Sequence, residues 1–171
     1  ELVSTGAIIF AAGANIIGAR IGAFIVNLSS SAKFVALIGL ALIALLLGGA
    51  HGGTMSNFST SAPVTVSSWG LALVSVLWAY DGWGDVSFAG GEVKDPQRTL
   101  PRAIIGGTLG VIVAYVMINV GYVYVLSLPS VANSPLVAAE TMTAVIGPAG
   151  AALVSMLVAL STFGALNADF L

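Results

Sequence analysis

A chain of 171 residues with 58% hydrophobic and only 7% charged residues is not an ordinary soluble domain, in which roughly a quarter of residues are charged. Its mean hydropathy of +1.05 places it in a lipid bilayer. A net charge of -2 offers no basic field for nucleic acid, and the absence of cysteine excludes disulfides and thiolate metal sites.

Five membrane helices are expected, over residues 1–19, 21–50, 69–91, 103–128 and 149–171, as parts of one all-α transmembrane domain. Each is near the roughly 20 residues that cross about 30 Å of hydrocarbon. The first starts at Glu1 with no basic head before its apolar run, so no signal peptide is expected, and both ends read as cut within apolar stretches. Small residues at 11–14 and glycines within 105–110 suit close helix contact in lipid. The second stretch carries one charge, Lys33. If its helix starts near residue 21, the lysine lies roughly 18 Å along it, too deep to snorkel. If the span begins at residue 34, the apolar run to residue 50 still nearly crosses, and the residues alone leave both readings open. His51, beside Gly52 and Gly53, reads as solvated, and Asn57-Phe58-Ser59 is a weak sequon.

The third stretch contains WAYDGWGD. Asp81 and Asp85 would share a face of a continuous helix and repel, while Gly82 and Gly84 weaken it. A break is therefore expected over residues 79 to 84. Irregular backbone at membrane depth survives only where protein or a water-filled cavity satisfies its polar groups, so the break implies a site. Beyond it, Glu92 and Asp95 beside Lys94 and Arg98 read as solvated pairs or caps. Thr99 is expected to cap the fourth helix with Pro101 in its first turn. Ser134, Pro135 and Gly147 predict a short outer helix over 135–146 that could serve as a cover.

The loops set the orientation. Arg20 follows the first stretch, and Lys94, Arg98 and Arg102 follow the third, on the same side by parity. The loops over 51–68 and 129–150 contain no Lys or Arg. The positive-inside rule places the Arg20 loop and the Lys94 to Arg102 loop in the cytoplasm of a multi-pass protein of the cell membrane.

WAYDGW, then GEVKDPQRTLPRAI, the Asn119 and Tyr122 region of INVGYVYVLS, and finally LSTFGALN together resemble the amino acid, polyamine and organocation transporter superfamily. The likeness is strongest to the L-type amino acid transporters and their bacterial relatives. It covers nearly the whole chain, from about the fourth to part of the eighth family helix. The resemblance implies a fragment of a five-plus-five inverted-repeat transporter with a broken helix, without the family's first helix. It also implies that WAYDGW is the unwound part of the sixth family helix, with Trp78 closing over substrate and Trp78, Ala79, Tyr80, Asp81 and Gly82 around the substrate's ammonium. Asp81 stands where many L-type members have Gly, and Gly84 where several have Asn, so side-chain preference does not carry over. Read without the family, Trp78, Tyr80 and Trp83 form an interfacial aromatic belt, and the two carboxylates line a hydrated vestibule.

By the same resemblance Lys33 matches a lysine of the fifth family helix that reaches toward the sodium position of sodium-coupled relatives, and Ser161 and Thr162 border that position. A fixed ammonium there could replace the ion, or could couple transport by gaining and losing a proton. Asp169 is unusual at its position.

The function implied is secondary active transport or exchange of amino acids by alternating access, sodium-independent, with an amino acid and the bilayer as partners. Proton coupling is one possible mode, an accessory subunit is unspecified, and neither cofactor nor covalent chemistry is needed. A polyamine or amino acid/amine antiporter is the alternative, because Asp81 and Asp85 would attract extra positive charge. More remote are a structural membrane subunit and an intramembrane aspartyl protease, to which Tyr80-Asp81 and Gly82-Trp83-Gly84-Asp85 are similar. In those proteases the motifs lie on different helices and a Pro-Ala-Leu motif follows, whereas here both fall within residues 80–85 and that motif is missing.

Overall fold

A computed structural model describes residues 5–6, 8–9, 12–13, 19–59, 65–82, 84–91 and 93–168. Most of the first expected helix, together with Trp83, Glu92 and Asp169, lies outside the described residues. Among these residues the structure is helical throughout, without strands. It divides into two compact units, Glu1–Ser59 with Met117–Leu171, and Thr60–Val116.

In the first unit, α1 spans Ala19–Leu47, about 43 Å long at ~1.5 Å per residue, with its second half rich in alanine, leucine and isoleucine. It tightens into a 3-10 turn over Gly48–His51 and stops at Gly52, whose φ of 91° suits a residue without Cβ. His51 is exposed, and in the tautomer protonated at Nδ1 it donates to the Leu47 carbonyl (3.0 Å). The loop after Gly52 covers the end of another helix. The Thr54 N–H (3.0 Å) and Asn57 Nδ2 (2.9 Å) both donate to the Tyr124 carbonyl. That carbonyl is one of the four that a helix C-terminus leaves without intrahelical donors. The approach needs glycine, because a Cβ at Gly53 would lie 2.8 Å from the Gly48 carbonyl oxygen and 2.9 Å from Tyr124 Cε1. The sequon nitrogen of Asn57 is thus already engaged.

In the second unit, α2 covers Val66–Ala79 and opens with a capping box: Thr65 Oγ1 accepts from the Ser68 N–H, and Ser68 Oγ accepts from the Thr65 N–H. None of its residues is buried within the chain, although it is mostly apolar. Such a face belongs against hydrocarbon or further protein.

The next helix, α3, spans Pro96–Val125 and corrects the expected start. Pro96, not Pro101, takes the first turn, and the Asp95 carbonyl accepts from the Arg98 (3.1 Å) and Thr99 (3.0 Å) N–H groups. Thr99 does not cap; its hydroxyl donates to the Lys94 carbonyl (3.0 Å). Asp95 adopts a φ of 51°, and its carboxylate faces Arg98 at 3.9 Å in an exposed pair of small energetic weight.

The connection between α3 and the last helix also differs from expectation. It holds two helices, α4 (Leu128–Asn133), capped by Ser127, and α5 (Val137–Ile146). Ser134 ends α4, and its Oγ accepts from the Leu136 N–H instead of capping a helix at 135. Gly147 stops α5 as expected, with a φ of 72°. The last helix, α6, runs over Pro148–Ala168. Its junction with α5 is tight: a Cβ at Gly150 would collide with the Met142 carbonyl.

The core of the first unit gathers Leu40, Ala41 and Ala44 of α1, Ile118 and Val125 of α3, Met142 and Val145 of α5, and Val154 of α6. Close approach depends on small residues, since a Cβ at Gly121 would lie 3.0 Å from the Ala44 Cβ. Segments Phe24–His51, Pro96–Val125 and Pro148–Leu166 are long and apolar enough to cross a membrane. The chain is thus multi-pass, and α2, with 14 residues, reaches only about 21 Å before it stops.

Candidate functional site

The stop of α2 falls inside the WAYDGW stretch. Tyr80 leaves helical geometry with φ -103° and ψ 11°, and the Asp81 N–H bonds three residues back, to the Trp78 carbonyl (3.2 Å). Gly82 turns the chain at φ 89°. A 3-10 segment, Asp85–Gly91, comes next in place of an α-helical continuation. The local causes are additive. A carboxylate at a helix C-terminus opposes the macrodipole, and glycine gives the chain access to the left-handed region that a side chain disfavours by about 1–2 kcal/mol.

The break faces a cavity of about 370 Å³, a size suited to a small molecule. Ala79, Tyr80, Asp81, Gly82 and Val86 form one wall. The opposite wall is one face of α3, carrying Ala103, Gly107, Val111 and Tyr115 at four-residue steps, with Ile104 and Thr108 beside them. The rings of Tyr80 and Tyr115 join the two walls, with centroids 5.3 Å apart and planes tilted by 55°. The lining is mostly apolar with a few polar groups, among them the exposed Asp81 carboxylate and the half-buried Thr108 hydroxyl.

Four of the five residues expected around a substrate, Ala79, Tyr80, Asp81 and Gly82, therefore line one cavity. Trp78 does not line it and is 82% exposed. The α3 wall is not an expectation of the sequence. Its glycines suggest close helix contact, yet a Cβ on Gly106 or Gly107 would meet nothing within 4 Å. At Gly107 the missing side chain leaves cavity space instead. The four-residue spacing from Ala103 to Tyr115 is the signal that could have found it.

The second constellation lies in the first unit. Lys33 is half-buried on α1, about 21 Å from the helix start at ~1.5 Å per residue. Its stem runs beside α6, where a Cβ built on Gly164 would lie 3.4 Å from Lys33 Cε. Ser161 stands one turn before Gly164 and is half-buried. Thr162 is exposed, and its hydroxyl donates to the Val158 carbonyl (2.9 Å). The fold thus brings the Lys33 stem against Gly164, one turn along α6 from Ser161. Gly164, at the contact itself, gives no signal in the sequence, because a glycine offers no group to read.

A sequence profile described as amino acid permease matches residues 2–170. The chain is 34% identical over 172 residues to the serine/threonine exchanger SteT of Bacillus subtilis, covering 100% of this chain and 38% of that protein. It is 34% identical over 170 residues to the human b(0,+)-type amino acid transporter 1, covering 98% of this chain and 34% of that protein. Similarity to the high-affinity methionine permease of Saccharomyces cerevisiae is lower, 29% over 170 residues, covering 95% of this chain and 30% of that protein. The chain spans little more than a third of the length of the first two of these relatives. With a match along nearly its whole length, the motifs of the superfamily in order, and a helix broken where those motifs imply it, the chain belongs to the amino acid permease family.

Proposed function

We propose that the permease containing this chain moves amino acids across the membrane by alternating access, with the α2 break as part of the substrate site. The observation that carries this reading is the stop of α2 at Ala79 with residues 79–82 lining a cavity, in a chain of this family. Freed carbonyls at a helix break are acceptors for an ammonium group, which all amino acids share. The similarity to an exchanger of serine and threonine and to an amino acid transporter supports the same substrate class. On this reading Lys33, Ser161 and Thr162 form the coupling region, transport is independent of sodium, and no covalent step occurs. Asp81 on the cavity wall supports a second reading, selection of substrates with an additional positive charge.

Both readings are tested by reconstituting the full-length permease and following uptake of labelled amino acids into vesicles loaded with unlabelled ones. Neutral amino acids should exchange in the first reading. Exchange confined to amines and cationic amino acids, and lost in Asp81→Asn, supports the second. No uptake of either class defeats both.

The orientation follows from charge. The start of α1 with Arg20, the Lys94 turn and the start of α3 with Arg98 and Arg102 are assigned to the cytoplasm, and the segments around Asn57 and Asn133 to the outside. Asn133 is exposed and its amide bonds only within its own turn, to the Pro129 carbonyl, whereas the Asn57 amide ties its loop to the distant Tyr124 carbonyl, so Asn133 is the better probe. A cysteine at Asn133 should react with an impermeant maleimide in intact cells, and one at Gln97 only after permeabilisation. Labelling of Gln97 in intact cells would reverse the assignment.

A further inference from the structure

The contact of α1 with α6 at Lys33 is set by a glycine. Ser29 and Lys33 are four residues apart and share one face of α1. Ser29 is only 6% exposed, and its hydroxyl already donates to the Val26 carbonyl (3.0 Å) within its own helix. The crossing is therefore governed at this point by shape. A Cβ on Gly164 would lie 2.5 Å from Ser29 Oγ and 2.7 Å from Ser29 Cβ, closer than such atoms come in proteins. A flexible side-chain end could swing away, but Ser29 Cβ is fixed to the α1 backbone, so the helices themselves would have to shift. The same Cβ would touch Lys33 Cε at 3.4 Å. Any shift that relieves Ser29 thus moves the lysine stem relative to α6, on which Ser161 lies one turn before Gly164.

We propose that Gly164 is a positioning residue for the Lys33 ammonium, its missing side chain seating the Ser29–Lys33 face of α1 against α6. The proposal rests on the reading of Lys33 as the coupling residue. It predicts a size-matched rescue: Gly164→Ala displaces the lysine, and Ser29→Gly in the same chain makes room for the added methyl. Gly39, on the same helix as Lys33, has nothing within 4 Å of a built Cβ and serves as the control.

The test uses the full-length permease, purified and reconstituted, with two measurements per folded molecule. One is the maximal exchange rate. The other is the reaction of Lys33 with an amine-specific reagent, read by mass spectrometry against exposed Lys94. Gly164→Ala should lower the rate about fivefold or more and change Lys33 labelling, and Ser29→Gly/Gly164→Ala should return both to within about twofold, as expected for directly coupled neighbours. Gly39→Ala should alter neither. Unchanged labelling in Gly164→Ala, or a loss that Ser29→Gly leaves unrescued, overturns the positioning role. If Gly164→Ala gives no folded protein, Ser29→Val crowds the same crossing from the other side and should reproduce both changes; unchanged labelling there overturns the proposal equally. Normal exchange by Lys33→Ala would defeat the coupling reading instead, while labelling in the Gly164 variants still reports whether the glycine positions the lysine.

Discussion

Lys33→Ala in the reconstituted permease should lower amino acid exchange by about tenfold or more, while replacement of sodium by a bulky organic cation leaves the unmodified protein at full rate. Lys33 is half-buried in the middle of a long apolar helix, beside Gly164 of α6. A lysine within such an apolar stretch suits the proposed coupling role better than a packing role, for which an uncharged side chain would serve. By the superfamily resemblance a lysine at this position reaches toward the place where sodium-coupled relatives hold the ion. On the proposed reading a fixed positive charge takes the ion's electrostatic role and leaves neither room nor charge balance for the ion itself. Two measurements check the argument, initial exchange rates with and without sodium, and the rate of Lys33→Ala under both conditions. Strict sodium dependence of the unmodified protein would sink it, as would a Lys33→Ala variant that exchanges normally.

Gly107→Leu should strongly weaken amino acid exchange without unfolding the protein. A Cβ at Gly107 meets nothing within 4 Å, so the larger side chain does not strain the backbone or displace a neighbour at its root. It extends instead into the cavity of about 370 Å³ that the α2 break also lines, and takes space that a substrate would occupy. Gly106 is the matched control: it is the adjacent residue, equally open, but does not line the cavity. Gly106→Leu should bind and exchange near the unmodified level, with thermal unfolding in detergent similar for both variants. The effect of Gly107→Leu should appear mainly as a raised KM if the side chain competes with substrate, and as lost kcat if the cavity must collapse during the cycle. Equal, small effects of both substitutions would remove the cavity from the substrate path.

Much of this architecture is legible in the residues alone. Composition establishes a membrane protein because hydrocarbon tolerates so few charges, and the family motifs are visible because they are short, local and ordered. The α2 break at residues 79–82 is also readable, since Asp81 and Gly82 act on the backbone of their own turn and need no distant partner. Helix starts are read less well. Thr99 and Ser134 both offer hydroxyls in the right place, but an earlier proline-led start at Pro96 and a separate helix over Leu128–Asn133 leave neither needed as the expected N-cap.

What only the tertiary structure decided are contacts between residues far apart in the chain. The face of α3 carrying Gly107, Thr108 and Tyr115 becomes a wall only when α2 ends opposite it, and the Tyr124 carbonyl finds its donors in Thr54 and Asn57. Gly164 shows the reason most plainly. A glycine carries no chemistry of its own, and its role is defined by which atoms would collide with a side chain it lacks. Here those atoms belong to Ser29 and Lys33 of another helix, so the role exists only once the two helices are packed.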